Sequence, residues 1–282
     1  MTDASPAPLP GHPAGLDEEV IFVKLGGSLI TDKGQAETAR PEVIAGLAEE
    51  LAAALSERPA HVVLGHGSGS FGHVAAHRHG LRDGLRRDEQ RSGVSETQGL
   101  AAALHRRVVG ALETAGAHPF SLAPSSFMVC EERSVVEVFT EPLVHSLDHG
   151  LLPTVYGDVV LDRRQGIAIC STETIFMALA TTLPRWGKTP VRALWLGETA
   201  GVLDHADRLL PELTPGTLPS SLAGASGTDV TGGMEHRVRS AFELARRGVE
   251  SLIFDGRVAG HLTRALRGEP IPGTRIPALD LS

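Results

Sequence analysis

From residue 21 onward the chain alternates short β-rich runs with amphipathic helical stripes, and this alternation restricts the fold more than any other feature. Ile21 to Val23 reads as a strand, Pro41 opens a helix with Ile44, Leu47, Leu51 and Leu55 on one face, and His61 to Leu64 reads as the next strand. A helical stripe through Leu100, Leu104, Val108 and Leu112 follows, then a strand at Phe120 to Ala123, a helix at Leu143 to His149 and a strand at Leu152 to Tyr156. The pattern continues with a strand from Ile167 to Cys170, a helix from Thr174 to Thr182 and a strand from Val191 to Leu196. After a polar stretch rich in proline and glycine, Pro211 to Gly227, come a helix at Met234 to Arg247, a strand at Ser251 to Phe254 and a short helix at Gly260 to Leu266. Strands separated by helices predict an α/β fold with a mostly parallel central sheet sandwiched by helices. In such sheets ligands bind beyond the carboxyl ends of the strands. Residues 1–18, with four prolines and no apolar period, read as a leader, and a lobe boundary is placed near residue 180, giving lobes 19–180 and 181–282.

The strand ends are where the chemistry gathers. Val23-Lys24-Leu25-Gly26-Gly27-Ser28 places a lysine at a strand end and then two glycines whose backbone N–H groups can approach an anion. The lysine precedes the glycines, so this is not a Walker A loop, and the string also suits a tight turn after a buried strand. The second loop, Gly65 to His73, has four glycines, two serines and two histidines in nine residues, a composition that predicts loop, not helix. Its glycines can form a nest of donors, and His73 at its exit can donate a hydrogen bond to a phosphoryl oxygen. At the third site, Thr228 to Arg237, the pair Gly232-Gly233 opens a helix whose N-terminus favours phosphate, with Arg237 one turn in. Taken alone, that segment reads better as a capped helix with a solvated arginine. Three such loops in one α/β chain suggest a nucleotide together with a phosphorylated substrate.

Composition narrows the alternatives. A net charge of −8 argues against nucleic acid or an anionic membrane as partner. Cys130 and Cys170 are the only cysteines, which predicts buried free thiols instead of a disulfide framework or a cysteine metal site. The start of the chain has no apolar signal-peptide core, so a cytoplasmic protein is expected. Lys24, Lys33 and Lys188 are the only lysines, and two of them flank the first glycine loop.

The order of these motifs resembles the amino acid kinase superfamily and, within it, the isopentenyl phosphate kinases. The likeness runs through Lys24 to Ser28 with Lys33, His66 to His73, Tyr156-Gly157-Asp158, Asp229 to Met234 and Arg257 to Ile276. It implies transfer of the ATP γ-phosphoryl group to a small-molecule phosphate, with Mg²⁺ accompanying ATP and a homodimer as the assembly. It also implies roles. Lys24, Lys33, His73 and Glu173 would be catalytic; Lys24, Gly26, Gly27, Ser28, Ser68, Gly232, Gly233 and Arg237 would hold ATP. Gly67, Gly69, His73, Ser171 and Thr172 would hold the acceptor. The chain departs from the pattern at Ser171-Thr172-Glu173-Thr174, where the family has Ser-Gly-Asp-Asp, and at Arg237, where it has lysine. Gly197-Glu198 and Ser68 are further departures. Fosfomycin kinases share the histidine of the second loop, so a phosphonate acceptor is one alternative; a nucleotide-binding sensor or storage protein that has lost catalysis is another.

Overall fold

The computed structural model describes residues 18–32, 34–217 and 232–279. Nearly all of the expected leader, together with Lys33 and Thr228 to Thr231, lies outside the described residues. Among those described, seven strands form the central sheet in the order β11-β10-β9-β1-β2-β6-β3. The strands are β1 Glu18–Leu25, β2 His61–His66, β3 Pro119–Leu122, β6 Leu152–Tyr156, β9 Lys188–Gly197, β10 Glu250–Asp255 and β11 Thr274–Ile276. All neighbours pair parallel except β10 and β11. Strand β1, which the sequence pattern limits to Ile21–Val23, is longer at both ends because it lies at the centre of the sheet, between β2 and β9.

Helices cover both faces. Alternation along β1 sends Val20 and Phe22 into one apolar cluster, with Phe176 and Trp195, and Ile21, Val23 and Leu25 into another, with Leu47, Leu51 and Leu104. The first cluster is covered by α6 (Thr172–Thr182) and α7 (Gly232–Ala245), and the second by α2 (Pro41–Glu57), α4 (Gln90–Thr114) and α8 (His261–Leu266). Phe22 stacks on Phe176 at 4.6 Å between ring centroids, locking α6 to the central strand.

Two sequence expectations are corrected. The Ile167–Cys170 run is β8 (Gly166–Cys170), but it belongs to a second sheet, β5-β4-β7-β8, with β4 Met128–Glu131, β5 Ser134–Val138 and β7 Asp158–Asp162. These strands are only four or five residues long, and their pattern does not reveal which sheet they join. The second correction is that the glycine loop ends in a helix. A single turn, α1 (Gly27–Ile30), follows the first glycine pair, and α3 (Gly69–Arg78) runs through Gly72 and His73. At Gly72 a Cβ would lie 2.7 Å from both Cβ and Oγ of Ser68, so this turn of α3 has room for glycine despite its low helix propensity. Helix α5 (Glu141–Asp148) lies at the expected place. Both cysteines are buried and unpaired, as expected.

Candidate active site

The parallel sheet delivers the loops to one edge. Each strand continues its ladder by one rung past its end: Gly26 N–H donates to Leu196 O at 2.9 Å, Gly67 N–H to Leu25 O at 3.1 Å, Gly157 N–H to His66 O at 3.0 Å and Gly256 N–H to Gly197 O at 2.9 Å. The loops after β1, β2, β6, β9 and β10 are thereby laced into a single surface at their carboxyl ends.

Lys24 lies on the same face of β1 as Val20 and Phe22, the face covered by α6. Its Nζ is 2.8 Å from Glu173 Oε1, and both side chains are more than nine-tenths buried. Glu173 is in the first turn of α6, where Ser171 caps the helix by accepting the Thr174 N–H at 3.2 Å. Burial alone would push the Glu173 carboxyl upward, but the charge and hydrogen bond of Lys24, and the nearby His236, hold it down at about 2. Burial draws the Lys24 ammonium below its usual range; Glu173 opposes that shift and Arg237 adds to it.

Arg237 reaches back from α7 between the first loop and the end of β9. Its Nη2 is 3.3 Å from where a Cβ on Gly26 would lie, and its Nη1 is 2.7 Å from that position on Gly197. It is buried, and burial lowers its pKa while Glu173 offsets part of the shift. Its Nε, buried, has no hydrogen-bond partner among the described residues. The solvated arginine expected from the segment alone is therefore excluded.

Two buried cations share one carboxylate, which leaves a net positive site beside the first glycine loop. The loops themselves touch: a Cβ on Gly27 would lie 2.7 Å from Gly69 N. Thr31 stitches them, donating from Oγ1 to Gly27 O at 2.7 Å and accepting the Ser70 N–H at 3.0 Å. Ser28 follows Gly27 in α1, Ser68 precedes α3 and is buried, and His73 stands exposed one turn along α3. Thr172 is buried, its hydroxyl donating to His66 O at 2.6 Å. Ser171 Oγ is 3.2 Å from His236 Nε2. Gly232 and Gly233 open α7.

Thr31, His66, His105 and His236 also belong to this assembly, yet sequence reasoning assigned none of them a role. For His105 the signal was present, a polar side chain on the apolar stripe of Leu104 and Val108. Among the described residues there is no group of three metal-ligating side chains. No helix there is long and apolar enough to cross a membrane.

The amino acid kinase family profile matches residues 19–255. The chain is 33% identical over 271 residues to an isopentenyl phosphate kinase of Methanothermobacter thermautotrophicus, across 91% of this chain and 98% of that one. It is 27% identical to the isopentenyl phosphate kinase of Arabidopsis thaliana, across 88% and 90% of the two chains. A solved isopentenyl phosphate kinase structure superposes with a TM-score of 0.77 at 30% identity, covering 91% of this chain and 100% of the other.

Proposed function

Because the chain belongs to the amino acid kinase family, we propose that it transfers the γ-phosphoryl group of ATP to isopentenyl phosphate, giving isopentenyl diphosphate and ADP. The observation that carries the reading is the buried cluster of Lys24, Arg237 and Glu173, which has one more positive charge than negative and an unpartnered guanidinium N–H. A triphosphate supplies the missing negative charge where low polarity makes each contact strong.

An oxygen of the acceptor phosphate attacks the γ-phosphorus, the bond from phosphorus to the β–γ bridging oxygen breaks, and its electron pair leaves on ADP. The acceptor is already an anion, so no general base is required. Lys24, with Lys33 by family resemblance, neutralises charge on the transferring group, and Glu173 orients Lys24. Gly26, Gly27 and Ser28 approach the γ-phosphate, while Gly232, Gly233 and Arg237 hold the remaining nucleotide phosphates with Ser68 beneath. His73 donates to the acceptor phosphate. Gly67 and Gly69 give that phosphate a close backbone approach, and Ser171 and Thr172 frame the α6 side. Glu173 is paired with Lys24, so Mg²⁺ accompanying ATP would offset charge on its phosphates without drawing on that carboxylate. The prenyl tail lies toward α3 and α4, where Leu81, Val159 and Ile167 form an apolar cluster with Ala76, Leu85 and Val94. The amino-terminal lobe thus serves the acceptor and the carboxyl-terminal lobe the nucleotide, in a cytoplasmic homodimer.

The test is direct. Purified protein with MgATP and isopentenyl phosphate should give isopentenyl diphosphate and ADP in equal amounts by phosphorus NMR. Turnover of fosfomycin without diphosphate formation would transfer the acceptor assignment to phosphonates. Nucleotide binding without turnover of either would leave a binding protein.

A further inference from the structure

His66 ends β2 with its ring fully buried. Its Nδ1 lies 3.1 Å from Gly67 O and its Nε2 3.0 Å from His105 Nδ1, while His105 Nε2 lies 2.7 Å from Ser121 Oγ. Burial is the main cause of holding both imidazoles well below their usual range, His66 at about 4 and His105 at about 3, so both rings are neutral near pH 7. One proton arrangement then satisfies the whole chain. The Gly67 carbonyl can only accept, so His66 carries its proton on Nδ1 and must accept at Nε2. His105 therefore carries its proton on Nδ1 and accepts the Ser121 hydroxyl at Nε2. The Tyr156 ring lies 4.1 Å from His105 and 5.8 Å from His66, near parallel to each, and fixes the planes of the imidazoles.

We propose that His66 and His105 are positioning residues for the acceptor loop: His105 selects the tautomer of His66, and His66 holds the Gly67 carbonyl. The proposal rests on the phosphate-acceptor reading given above. The backbone explains why a side chain is needed. The peptide group before Gly67 is tied twice through the His66 carbonyl, by Thr172 Oγ1 at 2.6 Å and Gly157 N at 3.0 Å, and again through the Gly67 N–H to Leu25 O. The peptide group after Gly67 leads into Ser68 and Gly69, and its carbonyl is held by the imidazole. If that plane turns, the loop shifts against Gly27, whose backbone nitrogen is 3.0 Å from where a Cβ on Gly67 would lie. Neither histidine is placed to touch a substrate; both act through the loop.

A pair that merely fills the core would be impaired alike by any substitution that removes the imidazole. Asparagine at position 66 can put an amide N–H where Nδ1 stands, whereas leucine cannot. In the full-length protein, His66→Leu should lower kcat/KM for isopentenyl phosphate by about ten- to hundredfold, the scale expected of misplaced reacting groups. His66→Asn should recover to within about threefold of wild type. Nitrogen NMR of the imidazoles in the wild-type protein should show both rings neutral with the proton on Nδ1. Equal impairment by leucine and asparagine overturns the proposal. So does a proton on His66 Nε2, a result that stands even if the leucine variant does not fold. The tautomer measurement needs no substrate, so failure of the relay is distinct from failure of the acceptor reading, which would appear as absent wild-type turnover.

Discussion

At Glu173 one carboxylate balances two buried cations, so its protonation matters to both stability and chemistry. Its folded pKa, at about 2, lies below the ordinary 4.5. The unfolded chain therefore binds more protons between those values, and the stability that Glu173 contributes is complete above pH 4.5 and lost as pH falls toward 2. Glu173→Gln should remove that portion of the acid-denaturation profile. It leaves Lys24 and Arg237 as neighbouring buried charges without their counterion, at a cost of about 3–5 kcal/mol, and kcat should fall at least about tenfold. Denaturant unfolding of both proteins between pH 7 and pH 3 provides the check: identical losses on acidification would show that the pair adds nothing to acid stability. The sequence names Glu173 through its place after Ser171, but not its distance from Lys24. That contact joins residues 149 positions apart and exists only because α6 packs on the Phe22 face of β1.

The loops and the turns that follow them are legible as composition and illegible as geometry. Four glycines between Gly65 and Gly72 announce close approach to something, but not to what: a Cβ would first meet Thr172 at Gly65, Gly27 at Gly67, Thr31 at Gly69 and Ser68 at Gly72. The alternation of strands and helices was readable because each element carries its own period, whereas β4, β5 and β7 are too short for two-residue alternation to declare a sheet. Likewise, α3 begins at Gly69, whose φ of +49° suits glycine and lets the chain turn into a helix that propensity alone disfavours. His66 and His105 lie 39 residues apart, and no local pattern pairs them. At this scale glycine position decides the outcome. Gly27→Ala would drive a Cβ to 2.7 Å from Gly69 N and 2.8 Å from Gly69 Cα, both backbone atoms, so the loops must part. We expect kcat/KM to fall by about a hundredfold, as for reacting groups displaced by about 1 Å. Gly99→Ala, exposed within α4 with nothing within 4 Å of the new methyl, should stabilise by about 0.5–1 kcal/mol with unchanged kinetics. Steady-state kinetics beside thermal melts separate the two, and a Gly27→Ala enzyme of wild-type activity would refute the close-packed loop arrangement.

A parallel sheet has a direction, and the two described lysines are buried at opposite ends of adjacent strands. Lys24 lies at the carboxyl end of β1 among the glycine loops; Lys188 opens β9 beside the start of β1. Lys188 pairs with Glu18 and, at 2.6 Å, with Asp148, and Glu18 also meets His61 Nδ1 at 2.9 Å, so this end is a closed ionic clasp. The active end is not closed, having an excess cation and an unpartnered Arg237 Nε. The same substitution should therefore differ at the two ends in its effect on turnover. Lys188→Met takes the buried ammonium away from Glu18 and Asp148, leaving His61 beside Glu18 and His145 at 3.9 Å from Asp148, and should destabilise by about 1–3 kcal/mol while kcat and both KM values stay within about twofold. Lys24→Met leaves Glu173 buried without its ion-pair partner, with only the charge of Arg237 nearby, and should cost up to about 3–5 kcal/mol. Its kcat should fall by at least about a hundredfold, because charge on the transferring phosphoryl group loses its nearest ammonium. Urea unfolding and single-turnover kinetics on the two variants test the contrast. A Lys24→Met protein that is both stable and fully active would remove the carboxyl end of β1 from the chemistry, and a Lys188→Met protein that loses turnover without losing stability would move it to the opposite edge.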